Sequence, residues 1–265
     1  MQLNQSTYSN KVTVITATAG NPAVVNAIDS VRKQTHKNVQ HLLVVDGLEA
    51  WEKVEPMFEK SCFPCDNPLE ESVVVLPYSI GKDRWNAHRI YGGFNFVAEG
   101  DFVMYLDDDN TIDPEHIEEC LGVISAGNTW AYSLRKITDK EGNFLCRDDC
   151  ESLGKWPSVL HPQDYFVDVN CYFLPKMLGV HIAPLWHRKF REPGQPEVDR
   201  VLCQALRQIA PEYDCTYGYT VNYTAGNSEN SVQPEFFKKG NADMYIRYNG
   251  ELPWHKRIIS TNAQS

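Results

Sequence analysis

The sequence has no apolar run near the ~20 residues that a membrane-spanning helix requires. Its first ten residues are polar and lack the apolar stretch of a secretory signal. A soluble, cytoplasmic protein is the expectation. Positive charge is scarce: 25 Lys and Arg stand against 35 Asp and Glu, a formal net charge of −10. Such a chain repels nucleic acid and anionic membrane surfaces, so neither is an expected partner. No Gly-x-Gly-x-x-Gly follows the first apolar strand, which argues against a dinucleotide-binding dehydrogenase. No internal repeat or low-complexity linker divides the chain. One domain over residues 1–265 is expected, with halves at about 11–125 and about 126–265. The eight cysteines read as reduced thiols, because a chain of this length builds a core without disulfides. Cys62 and Cys65 have a CxxC spacing that Cys146 and Cys150 could extend to a zinc site. The second pair is not a CxxC, which weighs against it.

Apolar periodicity gives the order of elements. Residues 11–18 (KVTVITAT) are a β-branched, alternating strand. Asn21-Pro22 then opens a helix whose Val24, Ala27, Ile28 and Val31 share one face. Residues 41–45 form an apolar strand ending in Asp46-Gly47, so the start is a β-α-β unit with parallel strands. A helix at 51–60, a strand at 72–76, a helix within 84–98 and a strand at 101–106 follow. Asp113-Pro114 opens the next helix. Beyond it, strands are expected at 130–137 and 165–174 and a helix at 197–209. The last forty residues, rich in Gly, Asn, Ser and Pro, read as loop with short elements.

In open α/β sheets, ligands bind outside the carboxyl ends of the strands. Three such ends are polar here: residues 16–21, Asp46-Gly47 and residues 107–110. The last carries Asp107-Asp108-Asp109 directly after a buried strand. Adjacent carboxylates repel by roughly 1 kcal/mol per close pair even in water, and hard divalent cations prefer such oxygen ligands.

VTVITAT with its helix and VVDG, followed by EGDFVMYLDDDN and DPEHIE, resembles glycosyltransferase family 2. The likeness covers residues 11–124. It implies the GT-A fold: α/β, with a Rossmann-like, mostly parallel central sheet, helices on both faces and an irregular C-terminal lobe. It also implies an inverting, Mn²⁺- or Mg²⁺-dependent transfer of a sugar from a nucleoside-diphosphate sugar to a hydroxyl of a saccharide, lipid or protein-linked glycan. On that resemblance, Thr16, Ala17 and Thr18 line the nucleotide and Asp46 recognises its base or ribose. Asp107 and Asp109 hold the metal, Asp107 and Asp108 also reach the donor, and Lys82, Arg84 and Arg89 are candidate base or phosphate contacts. Ala17 and Ala19 replace the Pro and Tyr usual there, so an aromatic stack on the base is lost.

The second half would hold the acceptor. Asp199, with Glu197 second, is the candidate general base ahead of a helix. Asp168, Asn170 and Trp156 are candidate acceptor contacts, Trp85 and Trp186 further stacking platforms, and His181 or His187 candidate metal ligands. Residues 223–237 could close over the donor. Two rivals stand beside this reading. A sugar-phosphate nucleotidyltransferase is disfavoured because residues 18–22 lack its Arg and Lys. A non-catalytic nucleotide-sugar-binding module on the same fold is disfavoured because the acids are present.

Overall fold

A computed structural model describes residues 9–61, 69–82, 85–188, 198–227 and 231–255. The β-branched run becomes strand β1 (Val12–Thr18), buried at every position, with β2 (Val39–Val45) parallel on one side and β4 (Phe102–Asp107) parallel on the other. Strand β3 (Glu70–Val75) pairs with β2, also parallel. Helix α1 (Val24–Arg32) buries Val24, Ala27, Ile28 and Val31, the stripe expected from the sequence. Its start differs from the expectation. The helix begins at Val24, and Asn21 Oδ1 accepts from Ala23 N–H at 3.0 Å, so Asn21 braces the turn ahead of the helix. Helix α2 (Leu48–Ser61) presses Val54 and Phe58 against Leu43 and Val45. Helix α3 (His88–Phe94) is shorter than expected.

After the acid turn, β5 (Thr111–Ile112) and helix α4 (His116–Ser125) follow. Asp113 does not cap α4 with its side chain. Its carboxylate binds Lys136 Nζ at 2.6 Å and Asn222 Nδ2 at 2.9 Å instead. Strand β6 (Trp130–Thr138) carries the hairpin strand β7 (Phe144–Arg147). The strand expected at 165–174 is only β8 (Tyr172–Pro175), because Asp168 accepts from Asn170 N–H and winds residues Val169–Cys171 into a 3₁₀ turn. Helix α5 (Lys176–Ile182) leads to α6 (Val198–Ile209), which buries Val198, Leu202, Cys203 and Leu206.

The largest departure is at the C-terminus. The last forty residues, expected as loop with short elements, supply the 14-residue helix α7 (Pro234–Arg247), and strand β9 (Tyr213–Thr224), left unassigned in the sequence reading, precedes it. The nine strands of the described residues form one sheet in the order β3-β2-β1-β4-β8-β6-β9-β5, with β7 on the side of β6. The β3-β2-β1-β4 half is wholly parallel; β8 joins β4 and β6 antiparallel, and β9 runs parallel to β6. The sheet is continuous through both halves of the chain. No helix among the described residues is long and apolar enough to cross a membrane.

Candidate active site

Because β1, β2 and β4 are parallel and in register, their carboxyl ends share one edge: Thr18 pairs with Val45, and Ala17 with Asp107. A cleft of about 590 Å³ opens there, lined by Ala17, Thr18, Asp46, the segment Ser79 to Lys82, His88, Tyr91, Asp107, Asp108, Asp109, Asp168, Asp199 and Tyr223. The three polar strand ends therefore meet, and residues of α3, α6 and β9 close over them.

Asp46 is fixed by the loop opposite. Its oxygens accept from Ser79 Oγ at 2.7 Å, Ile80 N–H at 2.7 Å and Gly81 N–H at 3.0 Å. Asp107 is gripped from two directions. Tyr91 Oη donates to Oδ1 at 2.6 Å, and Asn170 Nδ2 donates to Oδ2 at 2.9 Å. Asp108 accepts from Asn21 Nδ2 at 3.3 Å and bonds to Thr18 as well. Asp109 meets the side-chain amide of Asn227, and its backbone carbonyl accepts from Thr224 Oγ1 at 2.6 Å.

All three acids are pushed toward protonation. Burial raises Asp107. Burial and then Asp107 lift Asp108 to about 6, against the hydrogen bonds that lower it. Burial followed by the charges of Asp107 and Asp108 lifts Asp109 to about 7. Carboxylates that cost this much to ionise together fit a divalent cation, which removes both penalties. Among the described residues no set of three His, Cys, Asp or Glu side chains is placed around one metal position.

Beneath the cleft lies a buried ionic cluster. Arg135, on β6, binds Asp148 at 2.8 Å, Glu151 at 2.9 Å and Asp168, and its guanidinium lies 4.3 Å from the centre of the Tyr223 ring. Glu151 also binds Arg200 at 2.9 Å, the residue after Asp199. Asp199 itself lies 3.7 Å from His88 Nε2. Burial lowers His88 to about 4, so it is neutral near pH 7.

Several expected residues lie elsewhere. Thr16 is fully buried in the sheet with its hydroxyl 3.0 Å from His41, because it stands two residues short of the strand end. Asn170 is fully buried as a brace for Asp107 and is not among the residues lining the cleft. Asp168 does line the cleft, but on the floor, held by Arg135. Trp156 packs on Trp254 and Tyr217, and Trp186 is buried against Tyr91 and Tyr105. Arg89 lies flat on Trp85, 3.7 Å from its ring centre, with one nitrogen 3.4 Å from Ile80 O. Neither Arg89, Trp85 nor Trp156 lines the cleft. His181 and His187 are exposed and also outside it. Arg84, Glu197, Cys62 and Cys65 lie outside the described residues. Sequence reasoning missed Tyr91, His88 and Ser79, and it named Tyr223 and Asn227 only as part of the segment 223–237.

A second cleft, of about 820 Å³, lies across Asp109 from the first. Its walls are polar, with Asn21, Asn26, Thr111, Asn222, Thr224 and Asn227 among them, and the β6–β7 turn at 139–142 forms one rim. Tyr223 faces the first cleft while its neighbours Asn222 and Thr224 face the second, as strand alternation requires.

Comparison with known proteins agrees with this architecture. No curated protein sequence matches the chain. The structure of S. aureus TarS 1-349 in complex with UDP-GlcNAc is similar, with a TM-score of 0.58 and 17% identity over 89% of this chain and 65% of that one. A longer S. aureus TarS structure gives 0.55 and 14%, over 81% of this chain and 37% of that one. The mannosyltransferase PcManGT from Pyrobaculum calidifontis, in complex with GDP-Man and Mn²⁺, gives 0.57 and 13%, over 94% and 72%. At such identities the likeness is one of fold, and the chain spans between about a third and two thirds of the two TarS chains. Residues 12–166, more than half the sequence, match the family described as glycosyl transferase family 2. That match begins at the first residue of β1 and runs through the acid turn to Phe166, and the protein belongs to this family of glycosyltransferases.

Proposed function

We propose that the protein is a metal-dependent, inverting glycosyltransferase that moves a hexosyl group from a nucleoside-diphosphate sugar to an acceptor hydroxyl. The charge of the first cleft carries this reading. Asp46, Asp107, Asp108, Asp109, Asp168 and Asp199 line it, and Lys82 is the one Lys or Arg among its described lining residues. A diphosphate meets net repulsion there unless a cation enters with it. Asp107 and Asp109 would hold Mn²⁺ or Mg²⁺, which when bound neutralises the departing diphosphate. The two solved neighbours with UDP-GlcNAc and with GDP-Man and Mn²⁺ support a nucleotide-sugar donor.

The chain's own groups do the rest. Ala17, Thr18, Asp46 and the segment from Ser79 to Lys82 form the cradle for the base and ribose, with Asp108 beside the ribose. Tyr91 and Asn170 hold Asp107 in one rotamer, so its charge is in place before the donor arrives. Asp199 accepts the proton of the acceptor hydroxyl as that oxygen attacks the anomeric carbon opposite the diphosphate. Neutral His88 beside it does not quench that carboxylate.

The test is thermal stability against UDP- and GDP-sugars with and without Mn²⁺, followed by assay of nucleoside diphosphate release. A metal-dependent rise that Asp109→Ala abolishes is expected; at a hundredfold excess over Kd it corresponds to about 2.7 kcal/mol. A protein stabilised by no nucleotide, with or without metal, would not be this enzyme.

A further inference from the structure

We propose that Asn227 is a ligand of the divalent cation, and that cation binding thereby fastens the segment after β9 to the acid turn. The proposal rests on the metal-dependent donor site described above. It begins with how closely that segment is tied to Asp109. Thr224 N–H donates to Asn110 Oδ1 at 2.9 Å while its hydroxyl donates to the Asp109 carbonyl at 2.6 Å. Ala225 N–H reaches Thr138 O at 3.0 Å, and Gly226 N–H reaches Val232 O at 3.0 Å. Gly226 has φ +68°, a left-handed conformation that favours glycine and turns the chain at this point. Asn227 comes next, and its Nδ2 donates to Asp109 Oδ2.

A side-chain amide carries a donor at one end and a carbonyl acceptor at the other, and its terminal torsion is broad and close to two-fold. With Asp109 bare, the N–H end faces the carboxylate. With a cation on Asp109, a half-turn of the same amide offers the carbonyl oxygen in its place. Hard cations of this class take amide carbonyls alongside carboxylates. Asn227 further lines the second cleft, so the same contact seals the boundary between the two cavities at Asp109.

The experiment measures Mn²⁺ binding to the whole chain by the loss of the free Mn²⁺ EPR signal, alone and with UDP or GDP. No sugar or acceptor need be known. Asn227→Ala should bind Mn²⁺ roughly tenfold more weakly, while Asn227→Asp, which keeps an oxygen donor, should bind at least as tightly as the native protein. Without Mn²⁺ both variants lose the hydrogen bond to Asp109 and should melt below the native protein, Asn227→Asp the lower because it sets a second carboxylate there, so Mn²⁺ affinities are compared at a temperature where all three are folded. Unchanged or tighter binding in Asn227→Ala would overturn the proposal, the tighter case marking the amide as an occupant that the metal must displace. Equal loss in Asn227→Ala and Asn227→Asp would overturn it too, since only the hydrogen bond to Asp109 would then matter. A native protein that binds no Mn²⁺ with either nucleotide would instead defeat the underlying donor-site reading.

Discussion

Asn170 holds Asp107 at both of its functional ends. Its Oδ1 accepts the Asp107 backbone N–H at 2.7 Å and its Nδ2 donates to the Asp107 carboxylate at 2.9 Å. Asn170 is itself held by Asp168, through Oδ1, at 2.8 Å. Asn170→Ala should therefore cost about 1.5–3 kcal/mol, the range for buried hydrogen bonds to charged groups. Asn170→Asp should weaken Mn²⁺–nucleotide binding more than Asn170→Ala does, because it sets a fresh charge against Asp107 and Asp168. Urea unfolding and the Mn²⁺-dependent rise in Tm measure the two effects; the reverse order in binding would remove Asn170 from the site.

Arg135 is fully buried and shared by Asp148, Glu151 and Asp168. Replacing it with Met removes the guanidinium that three interior carboxylates share, and of these Glu151 alone keeps an ion pair, with Arg200. A loss of about 3–5 kcal/mol is expected from breaking such a cluster on one side. Arg135→Lys should recover little of it, since a point charge cannot serve three acids placed around a planar fork. Denaturant titration decides this, and full rescue by Lys would show that charge alone suffices.

The pH dependence of stability follows from Asp109. In the unfolded chain it titrates near 3.8 and in the fold at about 7. Between those values the native state binds the extra proton, so this group's contribution to stability falls as pH rises from about 4 to 7. His41, His88 and His116, each lowered by burial to about 4, act oppositely: the unfolded chain binds their protons, so their part rises with pH between about 4 and 6.5. Comparison of the native protein with Asp109→Asn cancels the histidines. Relative to the native protein, Asp109→Asn should gain stability as pH rises through that window. The stabilisation by Mn²⁺, which competes with the proton, should be larger at pH 8 than at pH 5. Equal Mn²⁺ stabilisation at both would contradict a raised Asp109.

The parallel half of the fold was legible because Val12, Val14, Leu42, Val44, Val103 and Leu106 are buried in strands with polar ends, two of them acidic, so fold and ligand edge come from one pattern. The C-terminus was not, for two physical reasons. Strand β9 mixes Thr, Asn and Gly with tyrosines, bends through Tyr217 at φ +62°, and shifts register against β6, so no simple alternation survives in the sequence. Helix α7 contains Gly240, which reads as a breaker. It is there for contact: a Cβ at that position would stand 2.6 Å from Cys150 Sγ. Within the site, strand-end acids announce themselves, but Tyr91, Asn170 and Asn227 reach them from three distant segments, and only the folded sheet brings those together.

Strand β9 acts as a party wall between two rooms. Tyr223 furnishes one side, Asn222 and Thr224 the other, and the pairing of Ile137 with Tyr223 fixes which is which. Substitutions at Tyr223 or Asn222 can redecorate one room without reversing the wall, whereas Thr224 is tied to Asp109, which both rooms share. A single inserted residue between Val221 and Asn222 cannot. It would turn the wall through half a revolution, hand the aromatic ring to the polar chamber and lift the Thr224 hydroxyl off Asp109. Diversity in this enzyme's two chambers is thus open to point changes and closed to changes of length.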